Sequence, residues 1–230
     1  MILTALIILA TGMQQPAAAP PLPLVVVPPS AHAAPSGTLA VLLTGDGGWS
    51  HVDKAIAQKL SDNGDAVVAI NSLHYFAHKR SSAGVAADIS ELARAQCRQW
   101  NCQRIVLIGY SMGADVLPFV IAQLAEDVRP KVAQLDLVSL GHEAVFKFFP
   151  TQWIGLEVGH KFATLPQLAT IDSLDIVCIY GTSDPDPACR DLPVRRAHVI
   201  ALRSGHVMGK VAAELADTLA AHVRAAHTRT

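Results

Sequence analysis

Short apolar runs alternate with amphipathic helices along this chain, and that alternation narrows the folds open to it more than any other feature. From Thr38 onward, Leu39-Ala-Val-Leu-Leu43 is a continuous apolar run of strand length. His51 to Asn63 then places Val52, Ile56 and Leu60 on one helical face, with Ser50 positioned to cap it and Asp53 three residues further on. The unit recurs as strand Ala66–Ile70, helix Ala83–Gln99 (Val85, Ile89, Leu92), strand Arg104–Ile108 and helix Gly113–Ala125 (Val116, Val120, Leu124). Val132–Leu140, Asp175–Tyr180 and Ala197–Leu202 read as further strands, and Met208–Ala226 as a closing helix striped by Val211, Leu215, Leu219 and Val223. Strands apolar on both sides need cover on both sides. The pattern therefore predicts an α/β fold, a mostly parallel sheet flanked by helices on both faces. Residues 141–170, rich in Phe and Gly, fit neither period and are expected to form a short lid or insertion over the sheet.

With 230 residues, 51% of them hydrophobic, the chain has enough apolar material for one sizeable core. A net charge of -1 leaves no basic excess to neutralise a phosphate backbone, which argues against nucleic acid as a partner. The first 35 residues stand apart, because they hold an apolar run from Met1 to Ala10 and then half of the chain's 14 prolines. That run is shorter than the roughly 20 residues of a membrane span but suits the core of an export signal. Ala31-His32-Ala33 offers a small-x-small cleavage site. Residues 1–35 are expected to be a signal peptide and proline-rich leader, or else an uncleaved disordered one, with a single domain over 36–230. Cys97, Cys102, Cys178 and Cys189 form an even set, which in an exported protein suggests two bridges, most simply between neighbours in each half. Four buried free thiols are the alternative, and the spacings do not match a zinc site.

The chemistry concentrates at three strand ends. After the strand ending at Ile108 comes Gly109-Tyr110-Ser111-Met112-Gly113 and then a helix, the G-x-S-x-G elbow in the setting where small flanking residues permit a sharp turn and expose the hydroxyl. A serine nucleophile needs a base and an acid to orient it. In an α/β hydrolase these follow in the order Ser, Asp, His after later strands. Gly181-Thr182-Ser183-Asp184 follows the sixth strand and Ser204-Gly205-His206 the seventh, so Ser111, Asp184 and His206 are the candidate triad, with Asp186 as the alternative acid. The oxyanion hole is expected from the backbone N–H of Met112 and from Asp46 or Gly47 in the turn Thr44-Gly-Asp-Gly-Gly-Trp49. Asp46 and Asp115 would attract a cationic substrate group if both face the pocket, although Asp115 also suits the first turn of the nucleophile helix through the helix dipole. Trp49, Tyr75 and Phe76 are candidates to line that pocket or, alternatively, ordinary core residues. The ten His residues include no H-E-x-x-H pair, so neither a metal nor any other cofactor is expected.

Thr44-Gly-Asp-Gly-Gly-Trp49, Ser72-Leu-His-Tyr-Phe76, Gly109-Tyr-Ser-Met-Gly-Ala-Asp115 with Val116-Leu-Pro-Phe119, and Ile179-Tyr-Gly181 with Cys189 downstream resemble the bacterial virulence AcvB/VirJ family. The resemblance runs from about Leu39 to the last helix. It implies a periplasmic α/β hydrolase that carries its triad on Ser111, Asp184 and His206 and hydrolyses the aminoacyl ester of lysyl-phosphatidylglycerol. The implied partner is then an aminoacylated phospholipid head group at a membrane surface. Two other readings stand beside it: a serine esterase or thioesterase acting on another substrate, and a non-catalytic periplasmic accessory protein that binds secretion-system partners.

Overall fold

The computed structural model describes residues 21–149, 159–192 and 197–227. In chain order the elements are β1 (Leu24–Val27), β2 (Thr38–Leu43), α1 (His51–Asp62), β3 (Ala66–Ile70), α2 (Ser72–Tyr75) and α3 (Ser82–Trp100). Next come β4 (Arg104–Tyr110), α4 (Met112–Val120), β5 (Val132–Val138), β6 (Glu143–Ala144) and β7 (Phe162–Ala163). The chain closes with α5 (Thr164–Leu168), β8 (Asp175–Gly181), β9 (Ala197–Leu202) and α6 (Ala212–His227). The main sheet has the order β1-β3-β2-β4-β5-β8-β9, and every pairing in it is parallel except that of β1 with β3.

Side chains alternate across each strand, so one apolar run feeds two cores. Leu39, Val41 and Leu43 of β2 pack with Val85 and Ile89 of α3 and Val116 and Val120 of α4. Ala40 and Leu42 point the other way, toward Ile56 and Leu60 of α1 and Leu215, Leu219 and Val223 of α6. The expected α/β architecture with helices on both faces is thus the one observed. Local signals behave as their chemistry requires. Ser50 and Asp53 close a capping box on α1, an arrangement worth about 1 kcal/mol. Asn101 ends α3 in the left-handed conformation at φ 50°. The helix after β4 is shorter than its apolar stripe suggests: α4 stops at Val120, with Pro118 removing one of its rungs, and Ile121–Gln123 continues as a 3-10 turn.

At the amino-terminal side the sheet reaches back across the boundary read from the sequence. The apolar run Met1–Ala10 lies outside the described residues, but Leu24–Val27, inside the expected leader, adds an antiparallel edge strand on β3. The chain after it is also docked, with the Ser61 hydroxyl donating to Pro28 O, Ser30 N to Ser61 O and Ser36 N to Gly64 O. Cleavage at Ala31–Ala33 would strip this strand from the sheet. The physical reason the pattern concealed it is that Leu24-Val-Val-Val27 is bracketed by prolines, which are compatible with an edge strand although they break a helix.

Residues 150–158 of the segment expected to form a lid or insertion lie outside the described residues. Where described, residues 141–170 form the β6–β7 ribbon and α5 and pack against α4. Both expected disulfides are present. Cys97–Cys102 straddles the end of α3 with Cα atoms 4.6 Å apart, and Cys178–Cys189 joins β8 to the turn beyond it with Cα atoms 5.6 Å apart. Two structural disulfides fit an oxidising compartment.

Candidate active site

β4 ends at Tyr110 and α4 begins at Met112, so the whole reversal of direction falls on Ser111, which sits at φ 51°, ψ -118°. A non-glycine residue in that region is strained and must be held there by its surroundings. Ser111 N donates to Val138 O of β5, and Asp115 N donates to Ser111 O. The flanking glycines are forced by contact rather than by φ. A Cβ on Gly109 would lie 2.5 Å from Ala114 N, and one on Gly113 would lie 2.2 Å from Leu43 O. This is why the G-x-S-x-G spacing works here: the helix can start this close to β2 and β4 only with hydrogens at those positions.

The raised hydroxyl meets the other two candidates. Ser111 Oγ is 2.9 Å from His206 Nε2, and His206 Nδ1 is 3.0 Å from Asp184 Oδ2. Asp184 is 6% exposed, so its carboxylate is shielded from water, whereas the imidazole is half-exposed and faces the opening. Between the two candidate acids the geometry is unambiguous. Asp186 lies out on the surface against His142 Nε2 at 3.2 Å, and its backbone N–H donates to Asp184 Oδ1 at 3.3 Å. The Cys178–Cys189 bridge closes the loop that carries Asp184 onto β8.

Three further hydrogen bonds hold the histidine loop. The Ser139 hydroxyl donates to His206 O at 2.8 Å, the Ser204 hydroxyl to Val207 O at 2.9 Å, and Met208 N donates to Tyr110 Oη at 3.3 Å. Ser139 is itself at φ 53°, at the carboxyl end of β5. Its signal was weak in the sequence, since a lone Ser after an apolar run reads as a strand terminator.

A cavity of about 280 Å³ opens beside Ser111, lined by the Gly45–Gly48 turn, Ser50, His51, Val52, Tyr110, His206, Val207 and Gly209. Asp46 and Gly47, the expected oxyanion residues of that turn, both border it, and Gly48 N donates to Gly45 O to close the turn. Met112 opens α4, where the first N–H groups have no intrahelical acceptor. Val207, 72% exposed, adds an apolar face at the opening.

The remaining pocket candidates are placed elsewhere. Tyr75 and Phe76 are wholly buried core residues, ring to ring at 4.9 Å, with the Tyr75 hydroxyl donating to Asp88 at 2.5 Å. Their spacing on the short helix α2 turns them into the core under α3, which corrects the substrate-binding expectation for Tyr75. Trp49 packs against the apolar layer between the sheet and α1 and does not border the cavity. Asp115 is turned toward Gly141, whose N–H it accepts at 2.7 Å, and it likewise does not border the cavity. Burial raises its pKa to about 8, the Gly141 hydrogen bond opposes that shift, and the charge of Asp46 adds to it.

Comparison with known proteins agrees with this architecture. The family described as bacterial virulence protein (VirJ) matches residues 37–227. No curated protein is similar in sequence. Among solved structures, XC6422 from Xanthomonas campestris, described as an α/β serine hydrolase without lid, superposes with a TM-score of 0.59 at 17% identity, covering 87% of each chain. Est1E from Butyrivibrio proteoclasticus, with ferulic acid bound, gives 0.61 at 14% identity over 87% of this chain and 94% of that one. The esterase EaEST from Exiguobacterium antarcticum gives 0.60 at 13% identity over 87% and 94%. At such identities the likeness is one of fold.

Proposed function

This chain belongs to the VirJ family of bacterial virulence proteins, and from that membership together with its site we propose that it is a periplasmic serine hydrolase that cleaves the aminoacyl ester of lysyl-phosphatidylglycerol. The observation that carries the proposal is the relay of hydrogen bonds from a strained, exposed serine hydroxyl through His206 to the shielded Asp184. A scaffold has no use for such strain. In a nucleophile it holds the hydroxyl clear of the backbone where a carbonyl carbon can reach it.

Ser111 Oγ attacks the lysyl carbonyl carbon while His206 Nε2 takes its proton, and Asp184 stabilises the imidazolium and keeps Nδ1 protonated. The tetrahedral oxyanion lies against the Met112 N–H and a backbone N–H of Asp46 or Gly47. On collapse the ester C–O bond breaks, and His206 returns the proton to the departing glycerol oxygen. Water, activated by the same imidazole, then hydrolyses the lysyl-serine ester and releases lysine. Asp46 on the cavity wall is suited to the lysyl ammonium groups. Export accords with the two disulfides, and processing falls ahead of β1 so that the edge strand stays with the domain.

The test is release of free lysine from lysyl-phosphatidylglycerol, followed by mass spectrometry with wild type beside Ser111→Ala. Serine-dependent release is the expected result. Release that persists in Ser111→Ala would refute the mechanism, and cleavage of simple neutral esters without any lysine release would discard the lipid substrate.

A further inference from the structure

On the α3–α4 face of the molecule lies a second cavity, of about 480 Å³, which shares no lining residue with the one at Ser111. Its volume is within the range of small-molecule sites. The floor is aromatic: Phe119 of α4, Phe146 beyond β6 and Phe162 of β7 meet edge-to-face with ring centroids 5.7 to 5.9 Å apart. Phe162 is 39% exposed, and it is the only aromatic among the exposed large hydrophobic residues of the described chain. An aromatic side chain left in water beside a concave apolar wall is an unfilled contact.

Among the described residues the rim has one sign of charge. Lys79, Arg80, Lys147 and His160 border the cavity, and none of its described lining residues is an Asp or Glu. Arg80 is engaged internally, its Nε donating to Tyr75 O at 3.2 Å and its guanidinium lying 4.4 Å over the Tyr75 ring. Lys147 lies along the wall, with its ammonium 4.8 Å above the Phe149 ring. Ser81 and Ser82, which open the 19-residue helix α3, complete the same rim, where the positive end of the helix dipole adds to the field.

An aromatic trough with a cationic mouth complements a molecule that is apolar along its length and anionic at one end. We propose that this groove binds a single long acyl chain ending in an anionic head group, with the chain on Phe119, Phe146 and Phe162 and the head group at Lys79 and Lys147. A polar small anion would leave the aromatic floor wet, and a neutral hydrocarbon would leave the lysines unused. The proposal does not depend on the hydrolase reading.

It is tested by titrating the full chain with cis-parinarate, a fluorescent C18 carboxylate, and displacing it with palmitate. Expected are saturable one-to-one binding that weakens with added salt, a loss of about tenfold or more in affinity in Lys79→Glu/Lys147→Glu, and a comparable loss in Phe162→Ser. Palmitate should compete about tenfold better than hexadecanol. Blocking Ser111 with an organophosphonate should leave the titration unchanged. These substitutions fall on exposed or half-buried side chains, and circular dichroism verifies their folding. Absence of saturable binding, equal affinity in the variants, equal competition by hexadecanol, or loss of binding on Ser111 modification would each overturn the proposal. So would retention on anionic vesicles without binding of the monomeric acid, which would identify the basic rim as a membrane-facing surface instead.

Discussion

Asp136 lies in β5, beside the strand that leads into Ser111, paired in register with Ile108 on one side and Val177 on the other, and is wholly buried. Gln134 Nε2 donates to its Oδ1 at 2.7 Å, while Asp136 Oδ2 and Gln134 Oε1 have no hydrogen-bond partner among the described residues. Burial pushes the carboxyl up from 3.8 to about 8, against the smaller opposing effect of the Gln134 hydrogen bond. The folded chain therefore keeps this proton up to about pH 8, while the unfolded chain releases it near pH 3.8. Because the folded state binds more protons across that window, the contribution of this group to stability is greatest below about pH 4, declines as pH rises toward about 8 and is level beyond. At 1.36 kcal/mol per unit, the decline from pH 5 to pH 8 is at most about 4 kcal/mol from this one group, and relaxation around the charge reduces it. Asp136→Asn keeps the shape and removes the titration. Urea unfolding at both pH values should find the variant close to wild type at pH 5 and more stable than wild type at pH 8, by roughly 2 to 4 kcal/mol. Asp65 and Asp115, also raised by burial, remain in both proteins and cancel in the comparison. A difference between the two proteins that is the same at pH 5 and pH 8 would refute a protonated Asp136.

Three further predictions concern the site and its supports. Asp184→Asn should lower kcat by about 10³ to 10⁴-fold through loss of the correct imidazole tautomer, whereas Asp186→Asn should change it by less than about threefold; equal effects on esterase turnover would contradict the assignment of the acid. Replacing Cys178 and Cys189 together by Ala opens a loop of sequence separation 11, with an expected loss of about 3 kcal/mol in unfolding free energy and a lower kcat as Asp184 loosens; unchanged activity in a folded variant would show that the bridge does not position the acid. Removing the chain up to Pro35 takes away β1 with the half-buried Val25 and Val27, and should cost roughly 3 kcal/mol in urea unfolding; mass spectrometry of exported protein should find Leu24–Val27 retained, and a mature start at Ala34 would refute processing ahead of β1.

Much of the site was legible because its chemistry is tied to strand ends. A buried parallel strand announces itself as an apolar run, and Ser111, Asp184 and His206 each follow one, so order along the chain carried the spatial arrangement. Asp184 and Asp186 could not be separated that way. They are two residues apart in one loop, and only the path of that loop, tied down by the disulfide, turns one toward His206 and the other toward His142. Tyr75 and Phe76 read equally well as pocket or core. Aromatic residues serve both roles, and the choice depends on which way a single turn of helix faces.

By itself, then, the sequence determined whatever depends on local periodicity and covalent order: the layered α/β fold, the cap of α1, the elbow and the succession of the three site residues. Tertiary structure alone decided the matters of long-range contact. It recruited the proline-bounded Leu24–Val27 as an edge strand, turned Asp115 toward Gly141, and used Ser139 to hold the backbone of His206 from 67 residues away. It also assembled the basic-rimmed aromatic groove from segments between Lys79 and Phe162. Contacts of this kind leave no periodic trace, because each depends on the relative placement of elements that only the packed core fixes.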